Sequence, residues 1–115
     1  YQSMDLVAAM EKDTGVPLRE LRVDGGASRD AFLMQFQADM LATPVRRPVI
    51  RETTALGAAY LAGLAVGIWH DPDELRRQWR CDVSFLPHMT AEQREKNRRG
   101  WAKAVGRSLD WAREE

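Results

Sequence analysis

The stretch LRVDGGASRDAF, residues 21–32, constrains the fold more than any other. Leu21 and Val23 alternate with Arg22 and Asp24, the period of a short half-buried strand, and the adjacent Gly25 and Gly26 end that strand abruptly. Ser28 is then positioned to cap a helix in which Phe32, Leu33, Phe36 and Met40 form an apolar stripe at spacings of three and four. TPVRRPVIRE follows as a second extended run, with Pro44 and Pro48 implying that it lies near a sheet edge or ends early. Strand, helix and strand in this order predict a βαβ unit, a right-handed crossover onto a parallel sheet. That topology leaves the carboxyl end of the first strand open.

The paired glycines sit where a strand end turns into a helix, a place where backbone N–H groups and the helix dipole favour an anion or a polar ligand edge. Without a Cβ, the main chain there can approach a ligand closely. A glycine pair also makes an ordinary tight turn. The motif is neither the G-x-x-x-x-G-K-[ST] phosphate loop nor the G-x-G-x-x-G dinucleotide fingerprint, so its position alone identifies no ligand.

At 115 residues the chain allows one fold unit with a modest core. Lys plus Arg and Asp plus Glu both number 17, so no net field favours nucleic acid, an acidic substrate or an anionic membrane. Cys81, the single cysteine, cannot form an internal disulfide, and no apolar run reaches the roughly 20 residues of a bilayer span. These features point to the cytoplasm. YQSMDLVAAM lacks the pattern of a signal peptide and reads as a helix cut partway along, with Leu6, Val7 and Met10 at helical spacing. Gly15 and then Pro17 end that helix near Thr14.

TTALGAAYLAGLAVGIW, residues 53–69, predicts a helix with a nearly smooth surface. Interior glycine costs about 1 kcal/mol against alanine, so Gly57 and Gly63 imply a compensating close contact, either with the sheet or with a ligand. DPDELRRQW opens with a capping aspartate and a first-turn proline, and CDVSFLP alternates weakly. A last helix from about Thr90 carries Trp101, Val105, Leu109 and Ala112 on one face, with the cationic run from Arg94 to Arg107 elsewhere as a solvated face. His70, His88 and Cys81 lack the spacing of a zinc site and read as surface positions. Asp24, just before the glycine turn, reads as a turn former rather than a base. Trp69, Trp79, Trp101 and Trp111 read as packing anchors.

Taken together, LRVDGGASRDAFLMQFQADMLATPVRRPVIRETTALGAAYLAGLAVGIW closely resembles the C-terminal region of glycerol kinases, which are FGGY carbohydrate kinases of the actin, hexokinase and Hsp70 superfamily. FLPHM and GWAKAV continue the likeness over essentially the whole chain. The resemblance implies an α/β fold, part of an RNase H-like ATPase lobe with short parallel strands, a crossover helix and additional C-terminal helices. Residues 1–115 would be the C-terminal part of the second kinase lobe, truncated at the N-terminus. The parent would transfer the γ-phosphoryl group of ATP, with Mg2+, to glycerol. Gly26 and Ala27 would lie beside the adenosine or its first phosphate.

Asp30 stands where the family commonly has an asparagine contact. A carboxylate accepts hydrogen bonds but lacks the amide's donors, so the pattern there would differ. The family's phosphate loops and catalytic aspartate have no counterpart in this sequence, so no catalytic or metal-binding residue is assigned and the chain alone is expected to be inactive. Truncation would also expose a strand edge and favour self-association. The competing readings are another sugar kinase of the same family, or a non-enzymatic module gripping RNA or an acidic partner with its basic last helix.

Overall fold

Gly15, at φ 68°, ends the first helix, α1 (Gln2–Thr14), in the left-handed conformation that glycine adopts without penalty. The computed structural model describes residues 1–110, so Trp111 and Ala112 fall outside the described residues. After α1 come β1 (Leu21–Arg22), a 3-10 turn (Gly26–Arg29), α2 (Ala31–Leu41), β2 (Val45–Pro48), α3 (Thr53–Ala65), α4 (Pro72–Gln78), β3 (Cys81–Phe85) and α5 (Ala91–Ser108). The expected β1–α2–β2 unit is present, with Leu21 paired to Val45 and Arg22 to Arg46 in parallel register.

Among the described residues β2 is not an edge strand. It lies between β1 and β3, and β3 joins it antiparallel rather than extending the parallel pattern. Pro48 is accommodated because it ends β2 at a register shift between Arg47 and Pro48, where its missing N–H breaks no regular ladder. The core is small. Met34, Ala38 and Val45 are buried, with Leu21, Val23, Leu33 and Phe85 packed against them. Val45 is fully enclosed, and burying such a side chain contributes roughly 1.5–3 kcal/mol.

Apolar residues run around much of α2, so spacing alone does not select its inner face. The structure buries Met34, Ala38 and Met40, and leaves Phe32 at 80% exposure with its ring stacked on Phe36. In α1 the half-buried positions are Ser3, Met4, Val7 and Glu11, while Leu6 and Met10 face outward. Tyr1 stacks on Trp101 and meets the edge of Phe36, and the Trp101 indole N–H donates to Asp5 at 2.6 Å. Trp101 therefore anchors α5 to α1, as a packing tryptophan should.

The start of α5 is fixed by a capping box between Thr90 and Gln93. Its half-buried face is Arg94, Asn97 and Trp101, whereas Val105 and Leu109 are exposed and Leu109 lies just beyond the helix. Arg94 donates to the Met89 carbonyl at 2.7 Å, so it leaves the solvated cationic face. Asp71 caps α4 by accepting from the N–H groups of Asp73 and Glu74. Asp39, near the end of α2, accepts from the N–H groups of His88 and Met89 and from Gln35, which fastens the segment between β3 and α5. Burial works against its charge, but those hydrogen bonds hold its carboxyl below the usual range.

The radius of gyration is 18.4 Å, against about 13 Å for a compact domain of 100 residues. Around α3 many apolar side chains lie uncovered. Val49, Ile50, Leu61, Val66 and Ile68 all stay exposed there. The close contact implied by the helix glycines exists at Gly63, whose α-carbon faces the Trp69 ring so tightly that an added Cβ would overlap it. Trp69, in turn, meets Tyr60 edge-on. The partner is neither the sheet nor a ligand but the chain's own return after α3.

Candidate functional site

Beyond the β1 ladder the chain stays beside β2. Val23 donates its N–H to Arg46 O at 3.1 Å, and Gly25 donates to Arg51 O at 3.0 Å. Gly25 adopts φ 73°, ψ −176°, a region open essentially to glycine alone. Its carbonyl accepts from the N–H of Ser28 at 3.2 Å and from the Ser28 hydroxyl at 2.7 Å. Ser28 is thus consumed inside the turn, at 1% exposure, and cannot cap α2. Asp30 caps it instead, accepting from Leu33 N–H at 3.1 Å.

The two glycines differ in kind. Gly26 lies outside the positive-φ region, and a Cβ built on it would meet nothing within 4 Å. Neither conformation nor packing among the described residues requires glycine there. Gly26 and Ala27 are the first residues of the 3-10 turn, whose leading N–H groups have no acceptor within the turn itself. Gly26, Ala27 and Asp30 lie on one exposed stretch of this turn.

Side chains from both other strands hold the turn from behind. Arg47 donates to Ser28 O at 3.2 Å and to Asp82 Oδ2 from Nε at 3.2 Å and Nη2 at 3.0 Å. Arg51 donates to the same Asp82 oxygen at 3.2 Å. The Thr53 hydroxyl, at the start of α3, donates to Asp24, so that carboxylate links the turn to α3. Sequence reasoning missed Arg47, Arg51 and Asp82. Strand alternation offered one signal, since Arg47 lies two residues from buried Val45 and so on its face of β2.

A cleft of about 650 Å³ lies elsewhere, between the end of β2, α3 and α4, and is lined by Val49, Ile50, Leu56, Tyr60, Leu75 and Trp79 among others. None of Gly26, Ala27 and Asp30 borders it. Arg22 places its guanidinium 4.2 Å from the Trp79 ring centroid on this side. Among the described residues no group of His, Cys, Asp and Glu could hold a metal ion.

Residues 1–66 match the FGGY family of carbohydrate kinases, C-terminal domain. The chain belongs to the FGGY carbohydrate kinases. Similar relatives include the glycerol kinase of Deinococcus radiodurans, 60% identical over 111 residues that make up 96% of this chain and 22% of that protein. The glycerol kinase of Caldanaerobacter subterraneus subsp. tengcongensis is 57% identical over 114 residues, covering 99% of this chain and 23% of that protein. This FGGY chain therefore spans less than a quarter of the length of these relatives.

The crystal structure of Plasmodium falciparum glycerol kinase with ADP superposes with a TM-score of 0.81 at 37% identity, over 94% of this chain and 22% of that one. Xylulose kinase from Lactobacillus acidophilus shares the fold, with a TM-score of 0.63 at 18% identity over 81% of this chain and 19% of that one. The α/β architecture is thus part of an actin/hexokinase-type ATPase lobe.

Proposed function

We propose that this chain is the C-terminal part of the second lobe of a glycerol kinase, and that its glycine turn forms one wall of the nucleotide cleft. The parent enzyme transfers the γ-phosphoryl group of ATP, held with Mg2+, to a hydroxyl of glycerol, giving glycerol 3-phosphate and ADP. Gly26 carries the reading. It is a glycine with no positive φ and no crowding neighbour, at a strand end where a bare main chain admits a ligand. Similarity to glycerol kinases over nearly the whole chain, one of them solved with ADP, supports nucleotide as that ligand.

Gly26 and Ala27 offer backbone to the adenosine or its first phosphate. Asp30, an exposed residue, is committed through one carboxylate oxygen to the α2 cap, and its other oxygen can act only as an acceptor. The parent acts in the cytoplasm as a homo-oligomer. Arg98 and Arg99 reach toward Glu95 on their own helix and Arg94 is turned inward, which weighs against a nucleic-acid grip by α5. No helix among the described residues is long and apolar enough to cross a membrane. The decisive experiment is calorimetry of the full-length protein with ADP and with glycerol. Saturable binding of both, with glycerol phosphorylation that vanishes when this chain is assayed alone, is the expected result. Salt-sensitive RNA binding without ADP binding would replace this reading with the binding-module alternative.

A further inference from the structure

We infer that Arg47 is a positioning residue for the nucleotide-facing turn; the inference rests on the reading of that turn given above. Gly26 and Ala27 lie between two tethers, one to Arg47 in β2 and one to Arg51 in the segment after it. On the near side Gly25 N–H donates to the Arg51 carbonyl at 3.0 Å. On the far side the Arg47 guanidinium donates to the Ser28 carbonyl at 3.2 Å. Asp82 on β3 accepts from both arginines, so one carboxylate oxygen braces the two residues that hold the two ends of the turn. The Arg47 side chain is only 13% exposed, and its guanidinium sits 5.7 Å from the Phe85 ring centroid.

The fork matters here as much as the charge. Nη1 serves the turn while Nε and Nη2 serve Asp82, and a planar guanidinium holds those directions at once. A lysine ammonium at the end of a flexible stem does not reproduce that spread. Arg47 does not touch nucleotide in this account. It sets the position of Ser28, and through it the exposed N–H groups that nucleotide meets. Loss of the fork frees the far end of the turn while Gly25 keeps the near end, so nucleotide binding weakens while glycerol binding does not.

The test uses the full-length protein with Arg47→Met, Arg47→Lys, Asp82→Asn and Gly26→Val, each followed by a thermal melt, ADP and glycerol isotherms and steady-state kinetics. Arg47→Met should raise the ADP Kd and the KM for ATP about tenfold, the scale of one lost charge-assisted hydrogen bond, with kcat and glycerol affinity within about twofold of the parent. Arg47→Lys should behave like Arg47→Met. Asp82→Asn should move ADP affinity the same way by a smaller factor, and it carries the test if Arg47→Met does not fold. Parent-like ADP affinity in a folded Arg47→Met protein, rescue by lysine, or parallel loss of both ligands with a lowered Tm would each overturn the inference. Gly26→Val separates the two levels. If it blocks ADP while Arg47→Met does not, the positioning role fails alone; if it leaves ADP binding unchanged, the nucleotide reading itself fails.

Discussion

The glycine turn after β1 and the smooth helix α3 both carry a pair of glycines, and in each pair only one member is accounted for by the described residues. Gly25 is held by conformation, at φ 73° and ψ −176° with open space around it. Gly63 is held by packing, in ordinary helix geometry with the Trp69 ring against its α-carbon. Gly26 and Gly57 have neither constraint: no positive φ, and nothing within 4 Å of an added Cβ. The comparison teaches that a glycine pair in a sequence is not one signal. Two members answer to the backbone and to a ring, and two have neither constraint among the described residues.

The largest expected effect is at Gly25. Gly25→Ala forces a Cβ into a region of backbone space that side chains avoid, and stability should fall by about 1–3 kcal/mol in a urea melt. Little change would mean that the turn relaxes readily, and the contrast with Gly26 would disappear. Gly63→Ala should come next. Overpacking costs about 1–3 kcal/mol and the helix recovers about 1 kcal/mol from alanine, so the net loss is roughly 0–2 kcal/mol, with a change in Trp69 fluorescence as the ring is displaced. A silent fluorescence spectrum would contradict the packing account. Gly57→Ala should have the smallest effect and the opposite sign, raising the stability of the chain by about 0.5–1 kcal/mol through helix propensity alone. Destabilisation there would show that Gly57 is held by a close contact, and its contrast with Gly63 would fail.

The sequence revealed element identities wherever a local signal dictates the backbone. Gly15 ended α1, Asp71 with Pro72 opened α4, Thr90 opened α5, and alternation at Leu21 and Val23 marked β1. It failed where two positions satisfy the same local rule. Ser28 and Asp30 are both good caps, and the choice was decided by the 3-10 turn that folds the Ser28 hydroxyl back onto the Gly25 carbonyl. Phe32 and Met34 both suit the inner face of α2, and only packing against Val45 selects Met34.

The antiparallel pairing of β3 was not legible either, because strand direction depends on where the chain returns to the sheet after α3 and α4 and not on any pattern within CDVSF. For the same reason Arg47 and Asp82, 35 positions apart, could not be joined before the sheet was known. The candidate site was visible as an unusual glycine pair. Backbone angles were needed to separate the glycine that makes the turn from the glycine that leaves room beside it.

That separation makes Gly26→Val the most direct test of the central claim, that Gly26 is present so that main chain can approach nucleotide. Because Gly26 has no positive φ and open space around it, the substitution should leave the melting temperature and glycerol affinity of the full-length protein close to those of the parent. ADP affinity should fall by at least about tenfold, since the branched side chain occupies the space in which the nucleotide would meet the backbone. An ADP isotherm indistinguishable from the parent's, in a variant with an unchanged melt, would contradict the claim and leave the paired glycines serving the turn alone.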